Sequence, residues 1–173
     1  MNKRALAAIF AVLLMSAAAQ AETTVALSEM HLCCGACVRG VENAVKSVTG
    51  ASVAVDKDAG KATVTAGSDE VAQQALDAIA KAGFHAKSSH DSIRMKDDSG
   101  VKAGQVSRLA LKGVHNCCGG CNVAVKKALK SVAGVESDTA KAKSDTIVVE
   151  GSFDGLAVIK ALNAAGFHVV MSK

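Results

Sequence analysis

His31-Leu-Cys-Cys-Gly-Ala-Cys37 returns 84 residues later as His115-Asn-Cys-Cys-Gly-Gly-Cys121. This pair of heptapeptides decides how the chain is divided, because a repeat at a fixed offset marks one structural unit used twice. The same offset carries Val41 onto Val125, Lys46-Ser-Val48 onto Lys130-Ser-Val132, and Gly50 onto Gly134. Farther along, Ala82-Gly-Phe-His85 answers Ala165-Gly-Phe-His168 at an offset of 83, so one residue has dropped out between. Two copies of one module follow, residues 22–88 and 107–173. A polar stretch at 89–106 has no sustained apolar period and reads as a linker. As a flexible coil it would span on the order of 20–25 Å. That is short enough for both cysteine loops to engage one partner or to share one ion.

Within each module the periods change in a fixed order. Thr24–Ser28 and Arg108–Lys112 alternate apolar and polar residues, as half-buried strands do. After the cysteine loop, Val38, Val41, Val45 and Val48 recur at helical steps, with Gly50 as the stop; Val125, Leu129 and Val132 repeat this ahead of Gly134. Val53 and Val55 suggest a second strand, with a fainter counterpart at Val135–Ala140. Ala62–Ala66 and Thr146–Glu150 suggest a third. A second helix is expected from about Asp69 to Ala82 and from about Asp154 to Ala165, ended by Gly83 and Gly166. Phe84–Lys87 and Phe167–Met171 then supply a fourth strand. The order βαββαβ predicts an α+β fold: tandem ferredoxin-like modules, each a four-stranded antiparallel sheet with two helices on one face.

Composition removes several functions. The 173 residues are 50% hydrophobic and 21% charged, enough for a packed core. Proline, tryptophan and tyrosine are absent, and Phe10, Phe84, Phe153 and Phe167 are the only aromatic residues of that class. Base-stacking platforms for nucleic acid need more. Residues 1–21 carry Lys3 and Arg4, an apolar run from Ala5 to Met15 and a small-x-small site at Ala19-Gln-Ala21, the pattern of a secretory signal peptide. Its removal would lower the net charge from +4 to about +2, which is no basic footprint for DNA or an acidic membrane. No membrane span is expected after cleavage. A periplasmic or secreted location is expected, where disulfides can persist.

The chemistry lies in the six cysteines. Cys34 and Cys37, like Cys118 and Cys121, form a Cys-x-x-Cys where a loop becomes a helix. Free N–H groups and the helix dipole favour thiolates there. A three-residue step puts both sulfurs on one side, in reach of one soft cation. Cys33 and Cys117 add a third sulfur per loop, and His31 and His115 a nitrogen. His85 and His168 are weaker candidates, His90 is expected to be solvated, and Met95 offers a lone thioether. A disulfide is the competing reading, but three cysteines per module leave one thiol over. A c-type haem site is excluded, because Val38 and Asn122 stand where its histidine belongs.

On these residues the chain resembles the heavy-metal-associated domain family. That family comprises the small βαββαβ modules of copper chaperones, of the N-terminal arms of metal-transporting ATPases and of the periplasmic mercury-binding protein. The likeness rests on the loop-borne Cys-x-x-Cys, the helix ending Val48-Thr-Gly50 or Val132-Ala-Gly134, and the closing Ala-Gly-Phe. It implies a non-enzymatic carrier, chaperone or scavenger whose Cys34, Cys37, Cys118 and Cys121 bind copper(I) first among soft ions, with Phe84 and Phe167 near the site. A metal transporter or another metal-binding protein would be its partner. Two departures stand out. Leu32 and Asn116 replace the methionine usual in that family, and the added Cys33 and Cys117 leave room for zinc, cadmium or mercury in a Cys3His site. A thiol–disulfide protein is the remaining alternative. Thioredoxin-like enzymes set a cis-proline against their Cys-x-x-Cys, and this chain has no proline.

Overall fold

The computed structural model describes residues 22–172. The signal-peptide segment expected at 1–21 lies outside the described residues. The first module runs β1 (Thr23–Ser28), α1 (Gly35–Lys46), β2 (Ala51–Asp56), β3 (Lys61–Ala66), α2 (Asp69–Lys81) and β4 (Lys87–Ser88). The second runs β5 (Gln105–Lys112), α3 (Gly119–Lys130), β6 (Val135–Asp138), β7 (Thr146–Asp154), α4 (Gly155–Ala164) and β8 (Val170–Met171). Each makes one antiparallel sheet, in the orders β2-β3-β1-β4 and β6-β7-β5-β8. The expected tandem ferredoxin-like α+β architecture is thus present.

Alternation decides which faces are buried. Val25 and Leu27 on β1 meet Val64 and Ala62 on β3, and all four point into the core with Val41, Val45, Leu76 and Ile79 from the helices. In the second module Leu111, Ile147 and Val149 meet Val125, Leu129, Val158 and Leu162. Ser68 caps α2 by accepting from the Val71 N–H, and Asp154 caps α4 by accepting from Ala157. Each cap satisfies an N–H that the helix start leaves without a partner.

Three features differ from the expectations. β7 continues past Glu150 through a bulge at Gly151–Ser152 against β5 and brings Phe153, fully buried, into the core. The fourth strands are only two residues long, because Phe84 and Phe167 pair with each other across the two modules. The segment between the modules is not a free coil. Ile93, Met95 and Ser99 are buried, and the Gln73 side chain both donates to the Arg94 carbonyl and accepts its N–H. His90 Nδ1 accepts from the N–H groups of Ser92 and Ile93, which turns the chain back onto α2. β5 begins at Gln105, inside the stretch expected to link the modules.

The modules are joined face to face at their closing turns. The His85 N–H donates to the Gly166 carbonyl and the His168 N–H to the Gly83 carbonyl, both at 3.0 Å. This exchange is nearly two-fold symmetric, as an isologous contact between duplicated units should be. Glycine is required at both turns for two reasons. Each has the left-handed φ that ends its helix (+88° and +83°), and the other module comes too close for a side chain. A Cβ on Gly83 would lie 2.2 Å from the Gly113 carbonyl oxygen, and one on Gly166 would lie 2.3 Å from the His31 nitrogen.

Candidate metal centre

Each cysteine loop is pinned from both sides. In the first module Met30 and Leu32 are buried in their own core, while the ring of His31 between them packs at a tilt on Phe167 of the second module, centroids 4.7 Å apart. In the second, Val114 and Asn116 go inward and His115 stacks on Phe84 of the first at 4.1 Å. Asn116 is held by donating to Asn122 Oδ1 and to the Lys141 carbonyl. The histidines thus lock each loop against the opposite module. Cys34 and Cys118 take the N-cap positions of α1 and α3 without capping through their side chains. Their sulfurs and those of Cys37 and Cys121, one turn on, sit at the positive ends of two helices.

The structure brings all six cysteines together. Cys33 Sγ lies 3.4 Å from both Cys118 Sγ and Cys121 Sγ. Its counterpart Cys117 lies 3.7 Å from Cys34 and 3.8 Å from Cys37. Cys37 and Cys121, the two buried sulfurs, meet at 3.7 Å. The within-loop pairs are no closer: Cys34–Cys37 is 3.7 Å and Cys118–Cys121 is 3.8 Å. None is a disulfide, whose sulfurs stand about 2.05 Å apart. The extra cysteine of each loop therefore sits beside the Cys-x-x-Cys of the other module as well as its own. Sequence spacing gave no sign of that crossing.

His31 adds a ring nitrogen to a set with Cys33 and Cys121, all mutually within 4.8 Å. His31 Nε2 and His115 Nε2 are buried with no hydrogen-bond partner. Burial lowers the pKa of His31 and keeps the ring neutral, as metal ligation requires. His85 and His168 stack on each other at 6.1 Å, His168 Nε2 lies 2.8 Å from Asp98, and neither joins the sulfur sets. Met95 packs in the segment between the modules and does not join the sulfurs.

Charge in the cluster is uneven. The Cys121 thiol, with smaller help from His115, holds Cys37 far below the usual thiol range. The N–H of Cys121 and the thiol of Cys33 bring Cys118 down to about 6. Burial first, with neighbouring thiolates behind it, pushes Cys33 and Cys117 up to about 12. The Cys37 anion, then burial, drives Cys121 upward. A few sulfurs ionise readily and the rest resist, because like charges at such spacing oppose each other. A soft cation removes that opposition and lets the remaining thiols release their protons.

Comparison with known proteins agrees with this reading of the first module, since residues 24–85 match the heavy-metal-associated domain family. No curated protein matches the chain. Among solved structures, oxidized MerP from Ralstonia metallidurans CH34 is 24% identical, covering 40% of this chain and 100% of its own, with a TM-score of 0.33. The apo heavy-metal-associated domain of the copper chaperone for superoxide dismutase is 27% identical, covering 49% and 85%, with a TM-score of 0.35. The N-terminal soluble domains of Bacillus subtilis CopA are 15% identical, covering 88% and 95%, with a TM-score of 0.32. Residues 24–85 match the heavy-metal-associated domain family, and the chain repeats their loop and strand–helix order in a second copy set against the first.

Proposed function

We propose that the protein is a soft-metal carrier or scavenger that holds its cargo between the two modules, with copper(I) as the preferred ion. The observation that carries this reading is the meeting of six unbonded cysteine sulfurs at two helix N-termini. Thiolate-only surroundings select copper(I) and mercury(II) over harder ions. Cys33, Cys34, Cys37, Cys117, Cys118 and Cys121 are the ligands in this reading, with His31 and His115 beside them. Cys33 is exposed, so an incoming thiolate from a metal transporter or another metal-binding protein can attack the ion before the other sulfurs let go. One accessible sulfur beside a buried one at each helix mouth suits handover better than catalysis, and the role in this reading is non-enzymatic. The pattern of residues 1–21 supports export to the periplasm or beyond.

A second reading, zinc or cadmium in a mixed site, draws on the neutral His31 beside Cys33 and Cys121. Anaerobic titration of the fully reduced protein with copper(I), zinc(II) and mercury(II) separates the two. Without tyrosine or tryptophan the chain absorbs little in the near ultraviolet, so thiolate-to-metal charge-transfer bands stand out. Copper(I) is expected to bind and to remain bound in excess zinc. Displacement by equimolar zinc would favour the mixed site, and failure to bind any thiophilic ion would contradict both readings.

A further inference from the structure

The six sulfurs have an order that a simple two-coordinate carrier does not need. Nine sulfur–sulfur pairs lie at 3.4–3.8 Å. Three more, Cys33–Cys34, Cys34–Cys118 and Cys117–Cys118, fall within 4.8 Å. The pairs outside these contacts are Cys33 with Cys117, Cys34 with Cys121, and Cys37 with Cys118, and each cysteine belongs to one of them. That is the connectivity of an octahedron with three pairs of opposite corners.

An octahedron has four alternate faces that share corners but no edges. Here they are Cys33-Cys34-Cys118, Cys34-Cys37-Cys117, Cys117-Cys118-Cys121 and Cys33-Cys37-Cys121. The first three are sulfur triads close enough to hold an ion. The fourth is closed by contacts of 3.8, 3.7 and 3.4 Å, and His31 approaches two of its corners. A metal–sulfur bond of about 2.3 Å places the three sulfurs of a trigonal ion about 4.0 Å apart, close to the spacing found. Three of the four faces draw sulfurs from both modules, so neither loop alone can build the set.

We propose that the cluster takes four copper(I) ions, one on each alternate face, with every cysteine bridging two of them. This rests on the soft-metal reading above and deepens it, turning a shared binding site into a single polynuclear copper–thiolate cluster that clasps the modules together. The balance is closed. Four copper(I) ions and six cysteine thiolates give twelve copper–sulfur bonds and a cluster of charge −2, each sulfur that starts as a thiol releasing one proton to solvent, with no change in oxidation state. The N-termini of α1 and α3 face that charge with the positive ends of their dipoles.

The test uses the full reduced chain, titrated anaerobically with the acetonitrile complex of copper(I). Native mass spectrometry and copper K-edge absorption are the readouts. Saturation at four copper ions per chain, with copper–copper scattering, is expected. Cys33→Ser, at an exposed position where the fold tolerates the change, removes a corner common to two faces and is expected to lose two of the four ions. Saturation at three or fewer in the unaltered chain, or absence of copper–copper scattering, overturns the cluster while leaving the carrier reading standing. No copper binding overturns both. Retention of all four ions by Cys33→Ser, with unchanged scattering, also overturns the assignment.

Discussion

The two modules are copies in backbone and unequal around their sulfurs. Their sheets have the same strand order, their cysteines occupy the same helix positions, and their closing turns exchange the same pair of hydrogen bonds. Yet the side chains around the sulfurs are not placed alike. His31 joins a set of sulfurs and His115 does not. Cys33 is exposed and reaches two sulfurs of the opposite loop at 3.4 Å, whereas Cys117 is half-buried and stands off at 3.7 and 3.8 Å. Duplication supplied the symmetric scaffold, and the copies differ beside the sulfurs, with Asn116 for Leu32 and Gly120 for Ala36. The exposed Cys33 makes the first loop the accessible edge of the site.

The symmetric part of that comparison can be broken hardest at the aromatic pair. Phe84→Ala and Phe167→Ala each remove a fully buried ring that also supports the opposite histidine. Each is expected to cost about 3–5 kcal/mol in urea unfolding. Because the rings share one interface, the double variant should depart from the sum by at least about 0.5 kcal/mol. Strict additivity would mean that the two edges are not coupled.

A smaller effect, carried by protons, sharpens the asymmetry at the other end of the interface. Burial, and then the stacked His168, lower the pKa of His85 to about 4. Asp97 and Glu29 oppose this only in part, and Asp98 is engaged by His168. The unfolded chain therefore binds a proton at His85 that the folded chain refuses. Stability is full above pH ~6.5 and falls as pH drops through the window from there to about 4. His85→Gln is expected to flatten that part of the profile, measured as the urea midpoint against pH. An unchanged slope would remove His85 from the account.

Much of the architecture was legible in the residues because it rests on side chains with a period. Valines at helical and strand spacing marked the elements, and the repeated heptapeptide marked the duplication. What escaped was made by backbone. The pairing of Phe84 with Phe167, and the carbonyls of Gly83 and Gly166 that hold the modules together, have no side-chain signature. The polar segment after Ser88 looked free because Ile93 and Met95 are isolated apolar residues, and isolated residues show no period. The chemistry of the cysteine loops could be read one module at a time. That each third sulfur stands beside the other module's pair could not, since sequence spacing within a loop says nothing about the loop it faces. The one available hint was the identical Gly-Phe-His edge in both copies, the condition for a self-complementary contact.

The crossing of the loops can be measured without any metal. Reduced, metal-free protein treated briefly with a thiol oxidant, digested and mapped by mass spectrometry reports which sulfurs are neighbours. The account predicts that the first bridges join Cys33 to Cys118 or Cys121, across the modules. Bridges confined to Cys34–Cys37 and Cys118–Cys121 would contradict it.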